Sequence, residues 1–479
     1  MSDSIGILGF GIVGKSTLKF LKSLDNNFKI NIFDERVLTA EELKEVVDLG
    51  GQLFEQSKIN SFFENSEKIF VSPGFKLKNL ELYDQSKFLC ELDLLALYFK
   101  KDIVAVTGSL GKTTTTSYLA NFSSQILTKN NKNLSVGVGG NIGNAMLNLI
   151  DIQDKIDLAF LELSSFQLKL NKKFAPKIAI WTNFYSNHLD WHKDLKDYFE
   201  SKCTIFEYQN KDQYFIFPID FLHDMLPQDI KKIFISKILK TKSQLCCMSE
   251  SFDNSFSELI NLGFNKFNIF SVENNKLIFN KIIDGKIVEQ KFLFDLTHLP
   301  NVSFEKNWYV ILASLFLLNF DLNQLENLFV KTNNFYSDNK LQNHRLELFT
   351  TINSVDFYND SKSTVYQATW QAVGKLSKNG KPIILILGGL SKGVDRTPLV
   401  QFLKETKNIK AVFCFGKDCA NFSCYSCYPT LESVVDAVFN IMKPGDQVLF
   451  SPTGSSYDLF KDYKHRGDSF KNLILNKKG

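Results

Sequence analysis

The segment DIVAVTGSLGKTTTTSYL, residues 102–119, constrains this chain more than any other stretch. The apolar run Ile103 to Thr107 reads as a buried strand. It delivers a glycine loop, Gly108 to Gly111, followed by Lys112, Thr113 and Thr114 and then a helical stretch. Strand, glycine loop and helix in that order bring backbone N–H groups and a helix amino terminus to one point, which makes a cradle for phosphate. Lys112 can neutralise β- and γ-phosphate oxygens there, and a Thr hydroxyl can hold Mg²⁺. The spacing GxxGKTT is shorter than the common GxxxxGKT, yet every part is present in order.

Around this segment apolar strand-like runs alternate with helical stretches almost throughout, without an internal repeat or low-complexity tract. That alternation predicts an α/β fold with mostly parallel sheets, and 479 residues are too many for one ordinary core. Three sections follow: 1–97, 98–340 and 341–479. The first opens with IGILGFGIVG, a strand feeding Gly9, Gly11 and Gly14 in GxGxxG spacing, with Asp34 after the next strand. Such glycines allow a tight turn and let a pyrophosphate approach a helix amino terminus. VSPG, Val71 to Gly74, follows a further strand. The third section begins near His344 and Arg345, and its runs VDFYND, PIILILGG, AVFCFG and QVLFSP predict another small doubly wound sheet. The region 210–299 carries few motifs and is expected to complete the central section.

The bulk numbers exclude more than they identify. A net charge of +4 is small for this length and demands no nucleic acid. The 45 Phe, beside abundant Lys and Asn and only 10 Pro, reflect compositional bias and carry no functional weight. The amino terminus runs straight into a strand without a basic leader or apolar h-region, and the longest apolar run, Trp308 to Leu318, is too short for a bilayer. A cytoplasmic protein without membrane insertion is expected. Eight cysteines then point to a reducing compartment. Cys414, Cys419, Cys424 and Cys427 cluster and end in CxxC, a pattern that zinc can use. Because AVFCFG reads as a buried strand, structural thiols are the expectation.

Ligands of open α/β sheets gather beyond the carboxyl ends of the strands. Glu162 ends the apolar strand of DLAFLELSSFQL, where a carboxylate can bind Mg²⁺. His188 lies in the loop after KIAIWTN, and Lys202 falls on the helical stretch YFESKCTIFEY. Taken singly, these residues read as a salt bridge, a loop histidine and a solvated helix face.

Together, GxxGKTT, VGGNIG (Val138 to Gly143), LELSSFQL, TNxxxxHLD, HR, NDSK and SPTGSSYD occur in an order that resembles the Mur ligase family, from residue 5 to about 470. LELSSFQL, with the amino-terminal GxGxxG and VSPG, resembles the member that adds D-glutamate. The resemblance implies three domains: a Rossmann-like one for the UDP-substrate (1–97), a P-loop ATPase-like one (98–340), and a Rossmann-like one for ATP and D-glutamate (341–479). It implies a monomeric, ATP-dependent ligase of cell-wall peptidoglycan synthesis, which joins D-glutamate to UDP-N-acetylmuramoyl-L-alanine through an acyl phosphate. The small-molecule partners are then these two substrates and ATP. Another Mur-type amino-acid ligase, a dinucleotide-binding oxidoreductase and a catalytically dead binding protein are the competing readings. The GKTT loop and NDSK region argue against the oxidoreductase, since hydride transfer needs neither.

Carried over residue by residue, the resemblance makes Lys112, His188 and Lys202 catalytic. Gly108, Gly111, Lys112, Thr113, Thr114, Asn307, Arg345 and Asp360 would bind ATP. Thr113, Glu162, His188 and Lys202 would serve two Mg²⁺ ions, with Lys202 carbamylated. Gly9, Gly11, Ile12, Val13, Gly14, Asp34, Glu35, Arg36, Ser72, Gly74, Asn141 and His188 would hold the UDP-substrate. Lys362, Thr364, Lys392, Ser456 and Tyr463 would hold D-glutamate. Four positions depart from the family pattern: Asn187 replaces an Asp, Trp191 a frequent Arg, Phe304 an Asn and Val365 an Asn.

Overall fold

The apolar runs seen in the sequence become the strands of three sheets. The computed structural model describes residues 4–25, 27–75, 82–129, 135–223, 225–299, 306–325, 343–391, 393–422 and 425–477. Lys392, Phe304 and Cys424 therefore lie outside the described residues.

The first sheet comprises β1 (Ser4–Leu8), β2 (Lys29–Phe33), β3 (Gly51–Leu53), β4 (Lys68–Val71) and β5 (Phe88–Leu89), in the order β3-β2-β1-β4-β5. All its pairings are parallel. Both faces are buried, which is why these strands read as continuous apolar runs. Ile5, Ile7, Ile30 and Ile32 pack on one side, and Leu8, Phe33, Ile69 and Val71 on the other.

The second sheet comprises β6 (Asp102–Thr107), β7 (Val136–Gly140), β8 (Leu158–Glu162), β9 (Ile178–Trp181), β10 (Tyr214–Pro218), β11 (Gln244–Ser249), β12 (Lys266–Glu273), β13 (Lys276–Ile283) and β14 (Lys286–Asp295). Their order is β14-β13-β12-β11-β10-β9-β6-β8-β7. It is parallel from β7 to β12 and ends in the antiparallel meander β12-β13-β14. The region 210–299 thus extends the central sheet. The apolar run at Trp308 lies in the buried helix Lys306–Leu317, and no helix among the described residues is long and apolar enough to cross a membrane.

The third sheet comprises β15 (Glu347–Ile352), β16 (Val355–Asn359), β17 (Ile383–Gly388), β18 (Ile409–Phe415), β19 (Ser426–Tyr428) and β20 (Gln447–Phe450), ordered β15-β16-β20-β17-β18-β19. Only β15 pairs antiparallel. The chain divides into two compact units. One is Met1–Phe184, Trp191–Leu299 and Lys306–Val330, with the first two sheets; the other is Tyr185–Asp190, Pro300–Glu305 and Lys331–Gly479, with the third.

The cysteine expectation needs a correction. Cys414 is a free buried thiol, but Cys419 and Cys427 form a disulfide. Pairing of β18 with β19 brings the segments together, and the two α-carbons stand 5.9 Å apart, within the span of a bridge.

Candidate active site

Strands β6, β7, β8 and β9 are parallel neighbours, so their carboxyl ends deliver side chains to one edge of the sheet. The glycine loop leaves β6 and enters the helix Lys112–Lys129. Gly108 has φ +149° and Gly111 φ +80°. A Cβ on Gly108 would meet Thr182 Oγ1 at 2.1 Å, and one on Gly111 would meet Asn307 Oδ1 at 2.7 Å. Neither position admits a side chain, so the loop is fixed by its packing as well as by its own glycines.

The loop's anchors follow β9. Leu110 N donates to Asn183 Oδ1 at 2.8 Å, Thr182 Oγ1 donates to Leu110 O at 2.6 Å, and Asn183 Nδ2 donates to the same carbonyl at 3.1 Å. Sequence reasoning uses the TN pair only as a family signature and misses this role. The signal available is the position of TN at the end of a strand next to β6.

Lys112 Nζ donates to Gly108 O at 2.8 Å and Ser109 O at 3.2 Å, folded over its own loop. Lys202 Nζ reaches the same loop from the helix Leu195–Glu207, donating to Gly108 O at 3.1 Å and Thr107 Oγ1 at 3.2 Å. Lys202 is 1% exposed, which overturns the reading of it as a solvated cation. It lies one helical turn beyond Tyr198, with Nζ 4.9 Å from that ring centre. Burial, with Lys112 nearby, pushes the Lys202 amine well below its ordinary pKa, and Glu162 opposes this only in part.

Glu162, 2% exposed at the end of β8, accepts from Asn141 Nδ2 at 2.8 Å through Oε1, while Oε2 is buried with no hydrogen-bond partner. The short helix after β8, Ser165–Leu168, is tied to the helix of Lys202 through His192. Its Nε2 lies 2.9 Å from Ser165 Oγ and its Nδ1 2.9 Å from Asp197 Oδ2, and Lys169 also pairs with Asp197. Of this tether only Ser165, in LELSSFQL, belongs to a motif of the sequence. His188 belongs to the segment Tyr185–Asp190, grouped with the second unit. Its φ is +57°, an uncommon conformation for a side-chain-bearing residue, and its N–H donates to Asn187 Oδ1 at 2.9 Å.

At the first sheet, Gly9 has φ +90°, and a Cβ on Gly14 would meet Gly9 O at 2.1 Å. The turn and the following helix, Ile12–Leu24, thus approach as closely as the GxGxxG spacing requires. Asp34 accepts from Phe10 N at 2.7 Å and Arg36 N at 2.8 Å, so this carboxylate braces the glycine turn. Ser72 Oγ donates to Gly9 O at 2.6 Å, joining VSPG to the same turn.

The second unit gathers another group. Arg466, fully buried, donates to Ser361 O at 2.7 Å, Ser361 Oγ at 3.0 Å and Gly454 O at 2.9 Å. It fixes NDSK against SPTGSS, a role sequence reasoning misses. Lys362 Nζ stands 3.8 Å from the centre of the Tyr463 ring, and Ser456 is buried. Asp360 accepts from Leu346 N at 2.9 Å, from Ser451 Oγ at 2.8 Å and from Ser363 Oγ.

Burial raises the Asp360 carboxyl to about 6 despite these bonds and the nearby Arg345. A carboxyl raised in the folded chain keeps its proton longer than in the unfolded one. Its contribution is therefore full below the ordinary carboxylate range and fades as pH climbs through about 6. Asp360→Asn is expected to remove up to about 3 kcal/mol of this pH-dependent loss between acid and neutral pH. Denaturant melts of both proteins across that range check it; parallel profiles would contradict it.

Comparison with known proteins gives a consistent picture. The Mur ligase middle domain family matches residues 106–277. A UDP-N-acetylmuramoylalanine–D-glutamate ligase of Pseudothermotoga lettingae is 30% identical over 98% of this chain and 97% of its own length. Proteins of the same name from Borreliella burgdorferi and Thermosipho melanesiensis are 29% and 27% identical, each over 98% of this chain and 97% of their own. In fold, the chain is similar to MurF ligase of Thermotoga maritima, solved in complex with ADP, with TM-score 0.51, 14% identity and coverage of 94% and 96%. It is also similar to MurF of Acinetobacter baumannii, with TM-score 0.52, 14% identity and coverage of 93% and 90%. With its phosphate loop, its ordered motifs and a relative 30% identical along nearly its whole length, the chain belongs to the Mur ligase family.

Proposed function

We propose that the chain is the ATP-dependent ligase that joins D-glutamate to UDP-N-acetylmuramoyl-L-alanine in the cytoplasm, acting as a monomer in peptidoglycan precursor synthesis. The observation that carries this is the convergence of Lys112 and Lys202 on one phosphate loop, with Glu162 near enough to act on the charge of Lys202, in a chain similar along its length to ligases of that name. The three sections 1–97, 98–340 and 341–479 are proposed as the domains for the UDP-substrate, for ATP, and for ATP with D-glutamate.

A carboxylate is a poor acceptor of an amine until it is activated. The substrate's alanine carboxylate would attack the γ-phosphate of ATP. The amine of D-glutamate would then attack the resulting acyl phosphate, with phosphate leaving. Lys112 would leave its loop carbonyls to meet the γ-phosphate, offsetting charge where it develops. Asn141, held on Glu162, would orient the muramoyl end of the substrate. The donor set fits Mg²⁺: Glu162 offers a buried carboxylate oxygen without a partner, and Thr113 a hydroxyl at the head of the helix. Bound Mg²⁺ would offset the negative charge of the triphosphate and the attacking carboxylate. Among the described residues no three His, Cys, Asp or Glu side chains form a metal cluster, and the proposed set depends instead on the Thr113 hydroxyl, on His188 and on a carbamate at Lys202. Burial of the Lys202 amine supports that carbamate, because only the neutral amine adds CO₂. Arg345, Asp360 and Asn307 are proposed for ATP, and Lys362, Thr364, Lys392, Ser456 and Tyr463 for D-glutamate.

Mass analysis of a reaction with ATP and Mg²⁺ tests the reading. The product should equal the nucleotide substrate plus D-glutamate less one water, with none formed from L-glutamate. A product with L-glutamate only would overturn it.

A further inference from the structure

His192 sits where three pieces of the first unit meet, and the reaction as proposed gives it no part. It is 1% exposed. Its ring centre lies 5.6 Å from that of Phe166 and 5.2 Å from that of Tyr198. Phe166 belongs to the helix Ser165–Leu168, which begins three residues after Glu162, and Tyr198 to the helix Leu195–Glu207, which carries Lys202. Tyr198 in turn has Lys202 Nζ 4.9 Å from its ring centre, and its hydroxyl lies 3.0 Å from Ser109 Oγ of the phosphate loop.

The hydrogen bonds of the ring fix its tautomer. A carboxylate only accepts, so Nδ1 carries the proton and donates to Asp197 Oδ2 at 2.9 Å, which leaves Nε2 to accept from Ser165 Oγ at 2.9 Å. Burial lowers the pKa of the imidazole and Asp197 opposes this only in part, so the neutral ring is the resting form. One end of the bridge is therefore the helix that follows Glu162, and the other is the first turn of the helix of Lys202. Asp197 is itself held, its backbone N–H donating to Asp194 Oδ1 at 2.7 Å and its carboxylate pairing with Lys169. Further along, the same elements are joined again, where Thr204 Oγ1 donates to Leu168 O at 2.8 Å and Asn171 Nδ2 donates to Thr204 O at 2.9 Å. Lys202 lies along its helix between these two ties.

We propose that His192 is a positioning residue for Glu162 and Lys202: by bridging Ser165 and Asp197 it sets the separation of the two groups that are to share a divalent cation. The assignment rests on the ligase reading for the presence of that cation. Glu162 is fixed by the sheet at the end of β8, whereas Lys202 stands on a helix that could shift against it. Mg²⁺ demands near-ideal octahedral geometry, so a small shift of one ligand is felt at once, and groups that hold a ligand in place carry a measurable share of metal affinity. The phosphate loop has anchors of its own, since Thr182 and Asn183 grip Leu110 from β9. Its hold on a diphosphate is therefore separable from the part played by His192.

The test is calorimetric binding of ADP, once with saturating Mn²⁺ and once with a chelator, so it needs no turnover and separates the metal's share from that of the loop. Mn²⁺ should strengthen ADP binding to the native chain. His192→Phe keeps an aromatic ring in the cluster and removes both hydrogen bonds. In that variant the strengthening should fall by roughly tenfold or more, while metal-free ADP binds within about twofold of native. Ser165→Ala, a milder change, opens the same bridge at its other end and should show the same loss. The two changes together should lose no more than either alone, because both break one connection. Equal losses with and without Mn²⁺ would make His192 a structural residue only and overturn the proposal. So would losses that multiply in the double variant, an unchanged effect of Mn²⁺ in the two single variants, or no strengthening by Mn²⁺ in the native chain. Failure of the native chain to form a glutamyl product, with the Mn²⁺ effect still dependent on His192, would count against the ligase reading alone.

Discussion

Lys202→Ala is expected to lower turnover by roughly three orders of magnitude, the scale on which one preorganised charge in a water-excluded site reads out. The reason lies in where the amine sits. It is buried against Gly108 O and Thr107 Oγ1, on the same loop as Lys112. Two ammonium groups there would repel each other, and burial already favours the neutral amine at Lys202. A neutral amine adds CO₂ with release of a proton, and the carbamate is a hard anionic oxygen donor of the kind Mg²⁺ accepts. Acetate should therefore restore part of the activity of Lys202→Ala by filling the vacated space with a carboxylate. Lys202→Arg keeps a fixed positive charge and should stay inactive with or without acetate. Labelled CO₂ should give a carbamate carbon signal in the native protein that is missing from both variants. Full activity in Lys202→Arg would mean that no carbamate forms and that any metal site is built from other residues.

The second large effect is expected at Lys112. Lys112→Ala should abolish measurable ligation while leaving the melting temperature close to native. Phosphoryl transfer relies on positioned charge more than on covalent help from the protein, so losing the cation facing the γ-phosphate removes several kcal/mol of stabilisation. In the ligand-free chain its ammonium covers two loop carbonyls, Gly108 O and Ser109 O, which water can also serve. Near-native turnover in Lys112→Ala would remove the phosphate-loop assignment.

What is legible in the sequence is local. GxxGKTT predicts strand, loop and helix because glycine freedom and the helix amino terminus are properties of consecutive residues, and the loop of Gly108 and Gly111 appears where expected. GxGxxG is legible for the same reason, although Asp34 proves to brace that turn through Phe10 N and Arg36 N. Long-range partners are not legible. Thr182 and Asn183 grip Leu110 from over seventy residues away, and only the strand order, with β9 beside β6, brings them there. Lys202 stands on a helix as its sequence context predicts, but which side of that helix is buried depends on packing against β6. Arg466 belongs to no motif, since its value lies in the carbonyls of Ser361 and Gly454 that the fold brings to it. The expectation of structural thiols rests on one strand, whereas the pairing of β19 with β18 makes the Cys419–Cys427 bridge. Lys392 and Phe304 fall outside the described residues.

The central claim is that this phosphate loop spends ATP on joining one particular amino acid to one particular nucleotide. Phosphate release by the purified chain with ATP and Mg²⁺ tests it most directly, with UDP-N-acetylmuramoyl-L-alanine as acceptor and D-glutamate, L-lysine or D-alanyl-D-alanine in turn. Release should require the nucleotide and D-glutamate together and stay at background when either is left out or replaced. Equal release with L-lysine or D-alanyl-D-alanine, or release independent of the nucleotide, would contradict the account.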